Sequence, residues 1–232
     1  MATKANMEEA IRFYKMKRWD SAMTAFLDID SSGFNEEEKT DLAYYLGLCY
    51  TKLERFNDAL LYLEQVVTSN ANALRMCQCR LTLAYIYMVT RRPKMADFEL
   101  ERLVKGGFKS VQIYTMQAFC AWSQKDEEKA IDCYEKALEL DGLNLTAMNG
   151  LGFILVESGK DVQRGLELCK RAVNKKPQNA SYLDSLGWAY YKIGEVSEAR
   201  TYLRRALDLA PRQKEISLHM KAVVGGVTSE AS

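Results

Sequence analysis

The chain has 232 residues, 48% of them apolar and 27% charged, and its 32 Lys+Arg almost cancel its 31 Asp+Glu. An apolar fraction of that size suits a packed core and excludes a collagen-like, low-complexity or grossly disordered polymer. A net charge of +1 argues against the basic footprint of a nucleic-acid binder, and 3 Pro with 13 Gly are too few for the turns of an all-β protein. Long helices are expected.

From Met1 to Trp19 the sequence mixes Lys and Glu with single apolar residues, so it does not read as a secretory signal. Apolar runs such as Phe153 to Val156 fall far short of the roughly 18 residues that span a bilayer. Cys49, Cys77, Cys79, Cys120, Cys133 and Cys169 are scattered through apolar-periodic segments rather than clustered in loops. Cys77 and Cys79 would point about 200° apart on a helix, which suits neither a disulfide nor a shared metal. Reduced, packed thiols in a soluble cytoplasmic protein are the expectation.

Small residues recur as Ala10, Gly47, Ala84, Ala118, Gly152 and Gly187, at steps of 37, 37, 34, 34 and 35. A parallel series runs Ala22, Ala59, Ala96, Ala130, Gly165 and Ala199, offset by 12 and once by 13. Two series with a common period indicate six copies of one supersecondary unit.

In chain order, Asn35 with Glu38 forms a capping-box pattern before Leu42, Tyr45 and Leu46. Pro93 falls at a turn between helices, and Asn144 and Asn179 stand where they could cap later helix starts. Gly159 and Gly194 suit left-handed reversals inside their copies, while Pro177 and Pro211 terminate second helices. In the last copy Leu183, Leu186 and Tyr190, then Ala199, Tyr202, Leu203, Ala206 and Leu209, fall on one stripe of each of two helices. The unit is a helical hairpin. Lys214 to Val224 reads as a final capping helix and Gly225 to Ser232 as a frayed tail.

At Leu183, Leu186, Gly187, Tyr190, Ala199, Leu203, Ala206 and Pro211 the chain resembles the tetratricopeptide repeat (TPR) family in residue type, order and spacing. The copies span residues 3–36, 40–73, 77–110, 111–144, 145–179 and 180–213, with the first the weakest. The resemblance implies an all-α, right-handed superhelical solenoid of about six helix-turn-helix repeats with a C-terminal capping helix. Small side chains at the two recurring positions let paired helices approach closely. In the fourth copy Gln117 and Ala121 replace the expected Leu and Tyr, so Phe119 or Trp122 is expected to turn inward and fill the space. Extra residues around Glu37 to Lys39 and Leu74 to Met76 lengthen either the following helices or the preceding loops.

The family's first helices line a concave groove, which in this chain would carry Tyr44, Leu48, Tyr85, Met88, Phe119, Trp122, Asn149, Phe153, Asp184, Trp188 and Tyr191. Each copy already has a core stripe, so this second apolar row implies a surface for a partner peptide or helix unless the row packs internally. Asn149 and Asp184, with Glu157, Lys192 and Lys52 nearby, would hold the peptide's amides or a basic side chain. The Lys and Asn of the family's chaperone-binding carboxylate clamp are missing, because Met7 or Tyr44 and Ile11 or Leu48 stand there.

The expected role is a non-catalytic scaffold without cofactor, metal or membrane insertion, holding a protein partner and supporting assembly of a complex. The single histidine, His219, lies in the capping helix away from any nucleophile motif, where a structural or surface role is expected, and Gly106-Gly107 and Gly225-Gly226 lack phosphate-loop spacing. Two alternatives are a self-assembling homo-oligomer and a helical-repeat RNA binder. The basic pairs Arg91-Arg92, Lys170-Arg171, Lys175-Lys176 and Arg204-Arg205 fall mainly outside the groove rows, which disfavours the second.

Overall fold

The structure is a computed structural model that describes residues 2–69 and 72–229. Among these residues there are thirteen α-helices and no strand, so the all-α solenoid of helical hairpins is borne out. The helices divide into two compact units between Lys109 and Ser110. The first contains α1 (Ala2–Lys15), α2 (Trp19–Leu27), α3 (Glu36–Lys52), α4 (Phe56–Thr68), α5 (Ala73–Val89) and α6 (Pro93–Lys105). The second contains α7 (Val111–Ser123), α8 (Glu127–Leu140), α9 (Leu145–Glu157), α10 (Val162–Lys175), α11 (Ala180–Lys192), α12 (Val196–Leu209) and α13 (Lys214–Ser229).

Within each unit every helix packs on the next in sequence, and the first helices of successive hairpins also meet: α1 with α3, α3 with α5, α7 with α9, α9 with α11. Each hairpin thereby covers the apolar stripe its predecessor leaves open. The last helix, α13, touches both α11 and α12, as α11 touches α9 and α10. It closes the end of the stack from the place that a further first helix would take. It also runs to Ser229, so the tail expected from Gly225 is helical that far, and residues 230–232 lie outside the described range.

The small positions do what their size suggests. A Cβ on Gly152 would lie 2.8 Å from the Gly165 carbonyl oxygen, and one on Gly187 would lie 2.8 Å from Leu203 Cγ. Ala10, Ala22, Ala84, Ala96, Ala118 and Ala130 are completely buried in their hairpins. Asn35 and Glu38 form the reciprocal capping box, with Glu38 N–H donating to Asn35 Oδ1 at 2.9 Å and Asn35 N–H to Glu38 Oε2 at 3.0 Å. Asn72, Asn144 and Asn179 likewise cap α5, α9 and α11. Helices α3 and α5 each have 17 residues, which shows that the extra residues extend first helices backward.

The reversal inside every hairpin contains one left-handed residue: Lys17, Glu54, Arg91, Lys125, Gly159 or Gly194, with φ between 57° and 86°. Gly159 and Gly194 adopt the left-handed conformation expected of them, while the other four residues carry a Cβ. Their penalty is met by paired backbone bonds that close the helix end, such as Lys125 N–H to Trp122 O at 2.9 Å and Asp126 N–H to Ala121 O at 2.9 Å. At Gly159 the closing donor is Asp161, bonded to Leu155 O at 3.4 Å, one residue further on than in the other turns. That extra residue accounts for the single offset of 13 between the two small series.

Candidate functional site

The expected groove residues fall into the two units, and they behave differently in each. In the first, Tyr44 and Leu48 are withdrawn into the core at 9% and 5% exposure, which corrects their assignment as an accessible wall. For Tyr44 the physical reason is a ring cluster. Tyr45 stacks on Phe26 with centroids 5.4 Å apart, while Tyr14 and Tyr44 meet Tyr45 edge-on at 5.7 and 5.1 Å. Tyr44 O–H donates to Gln78 Oε1 at 2.6 Å, and the Arg75 guanidinium lies over its ring while pairing with Asp41. Burial pushes the Tyr44 phenol up, so the ring stays neutral. Tyr85 is exposed and Met88 half-buried.

In the second unit the first helices α7, α9, α11 and α13 line a pocket of about 310 Å³. Phe119 and Trp122 come from α7, Asn149 and Phe153 from α9, Asp184 and Ser185 from α11, and Glu215 and His219 from α13. Of the pair expected to fill the space left by Gln117 and Ala121, Phe119 is 49% exposed and Trp122 half-buried. Trp122 meets Phe153 edge-on at 6.0 Å. From α8, Tyr134 reaches the pocket beneath Gly150, where any Cβ would lie 2.2 Å from its Cζ. Burial pushes the Tyr134 phenol up to about 12.

Beside the pocket is a polar and aromatic junction. His219 stacks on Trp188 with centroids 4.2 Å apart and planes 22° from parallel, and its Nδ1 lies 2.9 Å from Asp184 Oδ1. A carboxylate oxygen only accepts, so Nδ1 carries the proton in this contact. Trp188 Nε1–H donates to Glu157 Oε2 at 2.5 Å, and Lys192 Nζ lies 3.1 Å from that oxygen and 5.3 Å from the Trp188 centroid. Tyr191 lies 5.2 Å from Trp188 in a tilted pairing. Asn149 Nδ2 donates to Ser185 Oγ at 3.0 Å, whose own proton goes to Ser181 O at 3.0 Å. That chain fixes the amide's orientation and leaves Asn149 Oδ1 buried without a donor.

The structure thus brings Phe119, Trp122, Asn149, Phe153, Asp184, Trp188 and Tyr191 together in one unit. Sequence reading missed His219, Glu215 and Ser185. A signal for His219 exists, since it stands 35 residues after Asp184, which stands 35 after Asn149.

Among the described residues no group of three or more His, Cys, Asp or Glu could hold a metal, and no helix is long and apolar enough to cross a membrane. All six cysteines are thiols, and burial pushes Cys49, Cys79 and Cys169 up to about 12.

Stacked antiparallel hairpins, with small residues at paired intervals and first helices forming one face, define an α-helical repeat protein. Residues 41–73, 111–142 and 180–213 each match a tetratricopeptide repeat family, so the chain carries tetratricopeptide repeats. It is 34% identical over 77 residues to the TPR repeat-containing protein PA4667 of Pseudomonas aeruginosa, a match covering 33% of this chain and 13% of that protein. It is 25% identical over 181 residues to the protein O-mannosyl-transferase TMTC1 of Homo sapiens, covering 76% of this chain and 20% of that protein. The chain therefore spans a small part of either relative. A crystal structure of YrrB, described as a TPR protein with an unusual peptide-binding site, shares the fold with a TM-score of 0.60 and 17% identity, over 81% of this chain and 94% of that one.

Proposed function

We propose that this chain is a non-catalytic cytoplasmic adaptor whose second unit holds an extended segment or helix of a partner protein along α7, α9, α11 and α13, supporting assembly of a complex. The observation that carries this reading is the exposed Phe119 beside a pocket walled by Trp122 and Phe153: an aromatic surface with polar groups at its margin, separate from the core beneath it. The peptide-binding site named for YrrB, on a similar fold, supports the same reading. TMTC1's transferase name carries less weight, because the chain matches only 20% of that protein. The buried thiols suit a reducing compartment.

Affinity capture with wild type beside a Phe119→Ala/Phe153→Ala double variant tests it. The expected result is a specific protein recovered by wild type and lost with the variant, while the helical circular dichroism of both is the same. Equal recovery by both would contradict the assignment of this face. Light scattering on the same samples distinguishes a captured partner from a second copy of the chain.

A further inference from the structure

We infer that the pocket between α7, α9, α11 and α13 takes an arginine side chain of the bound segment; this rests on the peptide-binding reading above and names what that site prefers. The pocket's lining carries two carboxylates, Asp184 and Glu215, and no lysine or arginine. Its walls are the rings of Phe119, Trp122 and Phe153, which attract a cation to their faces.

The wall offers several spare acceptors. Asn149 donates one amide hydrogen to Ser185 and its Oδ1 receives none, while Glu215 and the Asp184 oxygen not engaged by His219 only accept. A ligand rich in donors and flat enough to lie on aromatic rings matches this wall, and a guanidinium has both properties where an ammonium has one. At about 310 Å³ the pocket is at the small end for ligand sites and suits one long side chain rather than a cofactor.

The chain itself shows the preference in miniature. His219 of α13 combines a flat ring stacked on Trp188 with an N–H aimed at Asp184. The pocket continues the same pairing of ring and carboxylate beside it, with Phe153 lying 6.2 Å from the His219 ring.

The test is an NMR titration of the full isotope-labelled chain with three probes: Nα-acetyl-arginine amide, Nα-acetyl-citrulline amide and Nα-acetyl-lysine amide. Citrulline keeps the shape and removes the charge. The inference expects saturable shifts of the Trp122 indole N–H, with arginine bound at least about fivefold more tightly than citrulline and more tightly than lysine. Glu215→Gln, at an exposed position, should weaken arginine binding roughly threefold or more without altering the spectrum of the core. Equal binding of arginine and citrulline, no shift at Trp122, or an unaffected Glu215→Gln variant would overturn it; a tie with lysine would overturn the choice of guanidinium. A protein captured through Phe119 and Phe153 whose binding ignores its basic residues would sink this inference alone, whereas arginine binding with undiminished capture by the double variant would sink the groove reading alone.

Discussion

The imidazole of His219 lies on the indole of Trp188 at 4.2 Å between centroids, a contact that helps join the last helix to the first helices of its unit. With the 2.9 Å bond to Asp184 it makes α13 part of the candidate binding face and not merely a lid on the end of the stack. Trp188 is consequently shared between the chain's own helix and any partner that reaches it, while Phe119 and the pocket beside it stay open.

Replacing His219 by Ala removes both the stack and the only hydrogen-bond partner of Asp184 Oδ1 seen in the structure. The expected cost is about 1–2 kcal/mol, concentrated at the attachment of α13. Hydrogen exchange should speed up in α13 and leave α7 to α10 unchanged, and Trp188 emission should move to longer wavelength. His219→Phe should retain most of the stack and lose the bond, giving an intermediate effect.

The four left-handed residues with a Cβ offer a gain in stability. Lys125→Gly and Glu54→Gly, at φ of 64° and 57°, relieve the Cβ clash while keeping the backbone bonds that close the turn. Each is expected to raise stability by up to about 1 kcal/mol, the relief outweighing glycine's extra freedom in the unfolded chain. Gly194→Ala, at φ 86°, should lose about 1 kcal/mol. Urea midpoints read both signs.

Gly150 is required by its neighbour rather than by its backbone. A Cβ there would lie 2.2 Å from Tyr134 Cζ, and Tyr134 is itself 7% exposed, so Gly150→Ala must displace a buried ring at a cost of about 2 kcal/mol. Combining Gly150→Ala with Tyr134→Val should recover part of that loss, and a double-mutant cycle measures the coupling.

Raised thiol pKa values make a prediction for alkaline stability. Cys49, Cys79 and Cys169 ionise near 9.0 when unfolded and are pushed up to about 12 by burial, so the folded state favours their neutral form. Their contribution is fully present below pH 9 and is lost as pH rises from there toward 12. Thermal midpoints should fall across that window, and less steeply in a Cys169→Ala variant. Native protein at pH 8 should label with iodoacetamide at the partly exposed Cys77 well before these three.

What was legible in the sequence is what side-chain size and spacing encode. Gly187 and Ala199 recur with their counterparts because helices nest there, and Asn35 with Glu38 names its own hydrogen bonds. The reversals at Lys17, Glu54, Arg91 and Lys125 were not legible, because backbone bonds close them and any side chain is compatible with that closure. Nor was the burial of Tyr44 and Leu48: a row of apolar residues reads the same whether open or filled, and at Tyr44 the cluster of Tyr14, Tyr45 and Phe26 filled it. His219 was missed because α13 resembles a polar end helix, although its register continues the series through Asn149 and Asp184.

The most direct measurement is site-specific photo-crosslinking in cells, with benzoylphenylalanine placed at Phe119 on the candidate face and, as a control, at Leu209, which is 45% exposed on α12. The account predicts a discrete cross-linked protein from position 119 and none from position 209. Cross-links of equal yield from both positions, or none from 119, would contradict it.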